Sequence, residues 1–141
     1  SPSHPHGVTW EREVGRLDSA SLHVYNETDR LAYWEVPLGP DFWMSPLYKG
    51  RQRISAWIRV CGVLGKGAYI AYRYSSYSIE TGQEPRLVEC TSAYRTGEGD
   101  WERFEMEVES PPPHATRAYL RLALCGQGEA WFDDLLVEHL P

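Results

Sequence analysis

The sequence is poor in residues that build metal sites, membrane spans and phosphate-binding surfaces. It has three cysteines, Cys61, Cys90 and Cys125, and no C-x-x-C pair. A structural zinc site lacks its usual thiolate spacing, and an odd count leaves at least one thiol unpaired within a monomer. His4 and His6 lie in a Pro-rich start with nothing nearby to complete a coordination shell, and elsewhere only His23, His114 and His139 occur. Lysine is nearly absent, at two of fourteen basic residues, and twenty acidic residues leave a net charge of −6. Nucleic-acid phosphates and anionic membrane surfaces both call for the opposite sign. No apolar run approaches the roughly 20 residues of a membrane-crossing helix. No signal peptide is visible. No G-x-S-x-G, H-E-x-x-H or phosphate-binding glycine loop occurs, which removes three common catalytic frames.

What is present is planar and turn-rich. Six Trp and nine Tyr outnumber three Phe, and twelve of the basic residues are Arg. Such side chains join apolar and polar contact, so they serve a β core and a recognition surface equally well. At 42% hydrophobic and 24% charged, the composition is that of a folded globular domain. Twelve Gly and ten Pro cut the chain into short pieces, and four pieces alternate strictly. Ile54, Ala56, Ile58 and Val60 oppose Ser55, Trp57, Arg59 and Cys61. Ala68, Ile70, Tyr72 and Tyr74 oppose Tyr69, Ala71, Arg73 and Ser75. Phe104, Met106 and Val108 oppose Arg103, Glu105, Glu107 and Glu109. Ala118, Leu120, Leu122 and Leu124 oppose Arg117, Tyr119, Arg121, Ala123 and Cys125.

Weaker strands fit residues 19–25, 31–36, 86–91 and 129–140. The one stretch long enough for a helix, residues 16–36, is rich in β-branched and aromatic residues and reads better as strand. Gly62–Gly67, Thr96–Asp100 and Gly126–Gly128 read as loops between strands, and Pro111–Pro113 ends one. The pattern predicts an all-β fold, a two-sheet antiparallel β-sandwich. Residues 1–7 are expected to be a flexible N-terminal segment or linker, with one domain over 8–141. Asn26-Glu27-Thr28 is an N-glycosylation sequon.

A resemblance rests on specific residues. The C-terminal third runs Gly99-Asp100-Trp101-Glu102-Arg103-Phe104, Pro111-Pro112-Pro113, Ala118-Tyr119-Leu120-Arg121-Leu122, then Gly126-Gln127-Gly128-Glu129-Ala130-Trp131-Phe132-Asp133-Asp134-Leu135. Earlier stand Ser21-Leu22-His23-Val24 and Gly50-Arg51-Gln52-Arg53-Ile54-Ser55-Ala56-Trp57-Ile58-Arg59-Val60. This series resembles carbohydrate-binding modules of the family 4, 9, 16 and 22 type, galactose-binding-like β-jelly rolls, over nearly the whole chain. The resemblance implies a non-catalytic module that tethers a covalently linked extracellular enzyme to a polysaccharide or oligosaccharide, and a monomer. It further implies a structural calcium ion held by Asp133, with either Glu11 as its partner or, if Trp10 matches a tryptophan that follows the family's acidic residue, that partner missing here. The Arg that family 22 members often carry after the Asn of the second strand is replaced here by Glu27, a departure from the xylan-binding pattern.

A sugar site needs flat aromatics for CH faces and forked polar groups for hydroxyls. Outward positions supply Trp57 and Arg59, Tyr69 and Arg73, Tyr119 and Arg121, and Glu105 with Glu107; together they are expected to line one concave sheet. The same charges suit cross-strand ion pairing on a solvated face. Trp34 and Trp43, in an apolar stretch with Phe42 and Met44, form either a second sugar platform or a lid over the sandwich end. The richness in Arg is compatible with an acidic glycan. Two other classes stay open. One is a sandwich that packs on a catalytic neighbour through residues 34–44 without binding glycan. The other is an enzyme, against which stands the lack of a His near a nucleophile or carboxylate pair. Asp133 and Asp134 make a poor acid–base pair, because adjacent strand residues point to opposite faces.

Overall fold

The computed structural model describes residues 6–11, 16, 21–38, 50–76, 86–109 and 115–140. Among them the chain forms eight strands and no helix: β1 (His6–Glu11), β2 (Ser21–Asn26), β3 (Leu31–Leu38), β4 (Arg51–Ser76), β5 (Arg86–Thr91), β6 (Arg95–Glu109), β7 (Ala115–Cys125) and β8 (Gly128–His139). Every pairing is antiparallel. The first half of β4 pairs with β6 and β8, and β8 leads on to β2 and β1. Its second half pairs with β5 and β7, and β7 leads on to β3. One hydrogen-bonded system therefore curls at β4 into two layers, β1-β2-β8-β4-β6 and β3-β7-β4-β5, the two-sheet sandwich that the alternation predicts.

The strict alternation survives as the inner face. Ile54, Ala56, Ile58 and Val60 from the first sheet meet Ala68, Ile70, Leu120, Leu122 and Leu124 from the second in one buried cluster, with Phe132 and Val24. Burying each large aliphatic or aromatic side chain contributes roughly 1.5–3 kcal/mol. Tyr72 joins them; its hydroxyl donates to the Glu109 carbonyl at 3.4 Å, and burial pushes its phenol pKa well up.

Two expectations about connections are corrected. Gly62–Gly67 is not a hairpin loop: β4 runs straight through it, with register shifts against β6 on either side of Val63. A hairpin would put the two halves side by side, whereas positive φ at Gly62, Gly65 and Gly67 lets the strand bulge and cross between layers. Thr96–Asp100 likewise lies inside β6, where Gly99 pairs with Val60 and Gly97 with Val63. A side chain at Gly99 would strike the Arg95 guanidinium, which passes there to donate to the Ile58 carbonyl. Gly126–Gly128 does separate two strands, β7 and β8, which belong to different layers. His6 and Gly7 stand in β1 opposite Asn26 and Tyr25.

The sequon is used structurally. Asn26 is buried, its Oδ1 accepts from the Thr28 N–H at 2.9 Å and the Thr28 hydroxyl at 2.7 Å, and its Nδ2 donates to the Arg30 carbonyl. This Asx turn ties β2 to β3.

Candidate functional site

The outward faces of the two sheets lie on opposite sides of the shared core, so the expected single concave surface is divided. Tyr69, Arg73, Tyr119 and Arg121 come together on the β3-β7-β4-β5 sheet. Trp57, Arg59 and Glu105 lie on the other sheet. The alternation assigns each residue correctly to outward or inward. It does not reveal that β4 changes layers between Arg59 and Tyr69.

On the first sheet the outward residues are occupied with one another. Arg16 places its guanidinium 4.1 Å above the Trp57 ring and pairs with Asp134 at 2.6 Å. Arg59 lies 5.5 Å from the Trp131 ring, which His23 stacks at 4.8 Å and 11°. Glu105 meets Arg103 at 2.7 Å and Arg53 at 3.7 Å, and Glu107 meets Arg53 at 3.6 Å and bonds Arg51. The Arg51 hydrogen bond, then its charge, holds the Glu107 carboxyl below its usual range. This is the solvated ion-pair ladder that a β surface favours.

The second sheet has a different build. Opposite residues Tyr69 and Ala123 and the neighbouring Ala71 form a small buried cluster of their own. Two alanines at the centre leave larger side chains to rise around them. Tyr94 packs on Tyr69 with ring centroids 4.5 Å apart. Ser92 sets that contact: its N–H donates to the Ile70 carbonyl at 2.9 Å, and its hydroxyl accepts from the Ile70 N–H at 3.0 Å. Arg117, Arg73 and Arg121 place guanidinium groups 4.6, 5.6 and 5.6 Å from the Tyr119 ring. Arg121 also lies 3.9 Å above Tyr33. Arg73 Nε is 3.1 Å from Glu89, in ion-pair contact but outside hydrogen-bond geometry, and Arg117 bonds Glu35.

Exposure reorders the candidates on this face. Tyr69 and Tyr119 are only 6% exposed, beneath the arginines and Tyr94. Tyr33 and Tyr94, at 37% and 44%, present the accessible rings. Alternation signals Tyr33, which shares its parity with Glu35 and opposes the buried Ala32. Nothing local signals Tyr94, which sits in the three-residue link between β5 and β6. Burial first, then the Glu89 charge, pushes the Tyr69 phenol up to about 12, so it is a neutral hydroxyl at physiological pH.

Trp34 lies on the inward parity of β3 at the open edge of the sandwich. It lines an apolar pocket of about 240 Å³ with Leu22, Val36, Leu122, Phe132 and Leu135. Trp43 lies outside the described residues.

The Asp133 region offers little to a calcium ion. Asp133 Oδ2 accepts from the Arg16 N–H at 3.0 Å and Oδ1 from the Asp134 N–H at 2.8 Å. Asp134 adopts a left-handed backbone and is held by the Arg16 guanidinium. Calcium takes six to eight oxygen ligands, whereas these carboxylates already face N–H donors and a cation. Glu11 stands at the end of β1 opposite Ser21, and no described group of three or more His, Cys, Asp or Glu side chains converges to hold a metal.

No protein-family model matches the sequence, and no curated protein matches it. Solved structures do. A family 22 module with its GH10 domain from Clostridium thermocellum xylanase 10B, complexed with xylohexaose, superposes with TM-score 0.68 at 15% identity, over 96% of this chain and 25% of that one. A family 22 xylan-binding domain from Paenibacillus barcinonensis superposes with TM-score 0.66 at 13% identity, covering 98% and 89%. A family 16 carbohydrate-binding module superposes with TM-score 0.60 at 14% identity, covering 96% and 86%. The chain thus has the β-jelly-roll fold found in these carbohydrate-binding modules.

Proposed function

We propose that this chain is a non-catalytic carbohydrate-binding module whose glycan site is the outward face of the β3-β7-β4-β5 sheet. The observation that carries the reading is the arrangement around Ala71 and Ala123: small buried side chains at the centre, exposed Tyr33 and Tyr94 rings, and three arginines. Sugar rings stack on such aromatics, and guanidinium forks meet their oxygens. The shared fold supports this reading.

The module would act outside the cell as part of a longer polypeptide. Its work would be to hold a linked catalytic domain at a polysaccharide and raise its effective concentration there, with no chemistry of its own.

Affinity electrophoresis through gels containing soluble neutral and acidic polysaccharides tests this. At least one glycan should retard the protein. A Tyr33→Ala, Tyr94→Ala double variant should bind about tenfold more weakly, as loss of stacking worth about 1–1.5 kcal/mol would give. Trp57→Ala, on the opposite sheet beneath Arg16, should bind as the parent does. Binding that survives the double variant and disappears in Trp57→Ala would move the site to the other face. No retardation by any glycan would leave a sandwich that serves as a packing partner.

A further inference from the structure

The proposed glycan face carries three guanidinium groups, Arg73, Arg117 and Arg121, and two carboxylates, Glu35 and Glu89. Arg73 pairs with Glu89 and Arg117 with Glu35. That leaves Arg121, which makes no ion pair and no hydrogen bond among the described residues. Its cross-strand mate on β3 is Glu35, yet the Glu35 carboxylate turns instead to Arg117. Arg121 is held by rings alone, 3.9 Å from Tyr33 and 5.6 Å from Tyr119. Its Nε is buried without a partner. A stacked guanidinium keeps its N–H edge available, and that edge matches a planar anion.

An uncompensated charge in a partly desolvated aromatic site is costly, and a sugar hydroxyl satisfies its hydrogens without neutralising it. Among the described residues, both carboxylates of this face go to other arginines and leave this one unpaired. The net charge of −6 does not cancel the local attraction. At physiological salt, charges beyond about 8 Å are screened, whereas a contact pair is not. We propose that this face takes an acidic glycan, and that Arg121 is the fork that holds its carboxylate or sulfate; this rests on the reading of the face as a glycan site.

The test uses matched pairs that differ only in charge: polygalacturonate against its methyl ester, and dextran sulfate against dextran, with neutral xylan and glucomannan alongside. The intact protein should bind the charged member of one pair about tenfold more tightly than its neutral counterpart, the scale of one charge-assisted fork. The pair that responds distinguishes carboxylate from sulfate. Arg121→Gln should erase the preference and keep the near-ultraviolet dichroism of the parent. Glu35→Gln, which removes the carboxylate across the ladder, should strengthen the preference.

Equal binding of charged and neutral members, with glycan binding intact, overturns the proposal alone. So does a preference that persists in Arg121→Gln. If Arg121→Gln fails to fold, Glu35→Gln decides, and an unchanged preference there overturns the proposal. Failure to bind any polymer, xylan and glucomannan included, removes the glycan reading of the face and this proposal with it.

Discussion

Arg16 joins parts of the molecule that no local pattern connects. Its backbone N–H reaches Asp133, its guanidinium reaches Asp134, and the same group covers Trp57. Arg16→Ala should lower stability by about 1 kcal/mol, the sum of a modest ion pair and a cation–π contact. Thermal melts would register this as a drop of roughly 2–4 °C at this chain length. Adding a chelator to the parent should leave the melt unchanged, because Arg16 already meets the charges that an ion would meet. A calcium-dependent rise in melting temperature would contradict that. The sequence made Trp57 an exposed aromatic by alternation, and alternation was right about its face. It was silent on Arg16, since contact over more than a hundred residues leaves no periodic trace. Tyr69 and Tyr119 were legible in the same limited way: their outward parity is plain, but the side chains that bury them come from other strands and from the link at Tyr94.

Among the elements, β4 explains most of the difference between expectation and structure. The glycines at 62, 65 and 67 have the composition of a hairpin loop, and composition does not separate a reversal from a bulged crossing. The crossing is held by close backbone approach. A Cβ on Gly126, at φ +116, would lie 2.0 Å from the Leu64 carbonyl oxygen, and one on Gly67 would lie 2.5 Å from that of Arg95. Both obstacles are main chain and have no rotamer to yield. Gly126→Ala should therefore cost at least about 2–3 kcal/mol from backbone strain and displacement. Denaturant titration would register that as a lowered midpoint with unchanged slope. Gly97→Ala faces open space and should cost less, although its positive φ still carries strain.

At the scale of the whole molecule, both sheets share one core, so burial should act on them together. Tyr69 and Tyr72 test this in alkali. Burial is the main cause that raises both phenols above the ordinary value of 10, and it favours the neutral form in the folded state. Their contribution to stability is complete below pH 10. It is lost as pH rises from 10 through about 12, where Tyr69 ionises in the folded chain. In an ultraviolet absorbance titration, Tyr69 and Tyr72 should ionise above the ordinary phenol value of 10, and together with loss of structure. Ionisation of Tyr69 and Tyr72 near pH 10, with the fold intact, would contradict the burial described.

The layer crossing in β4 also imposes an arithmetic on the chain. Val60, Val63 and Ala68 are all buried, so the intervals between them, three residues and then five, are both odd. Each interval alone would exchange the inner and outer faces of everything that follows, and the two exchanges cancel. Deleting one residue between Val60 and Ala68 would leave every side chain chemically intact. It would turn Tyr69, Ala71 and Arg73 toward the core, and Ile70 and Tyr72 toward water. The placement of the candidate binding face therefore depends on a count of residues as much as on their identities.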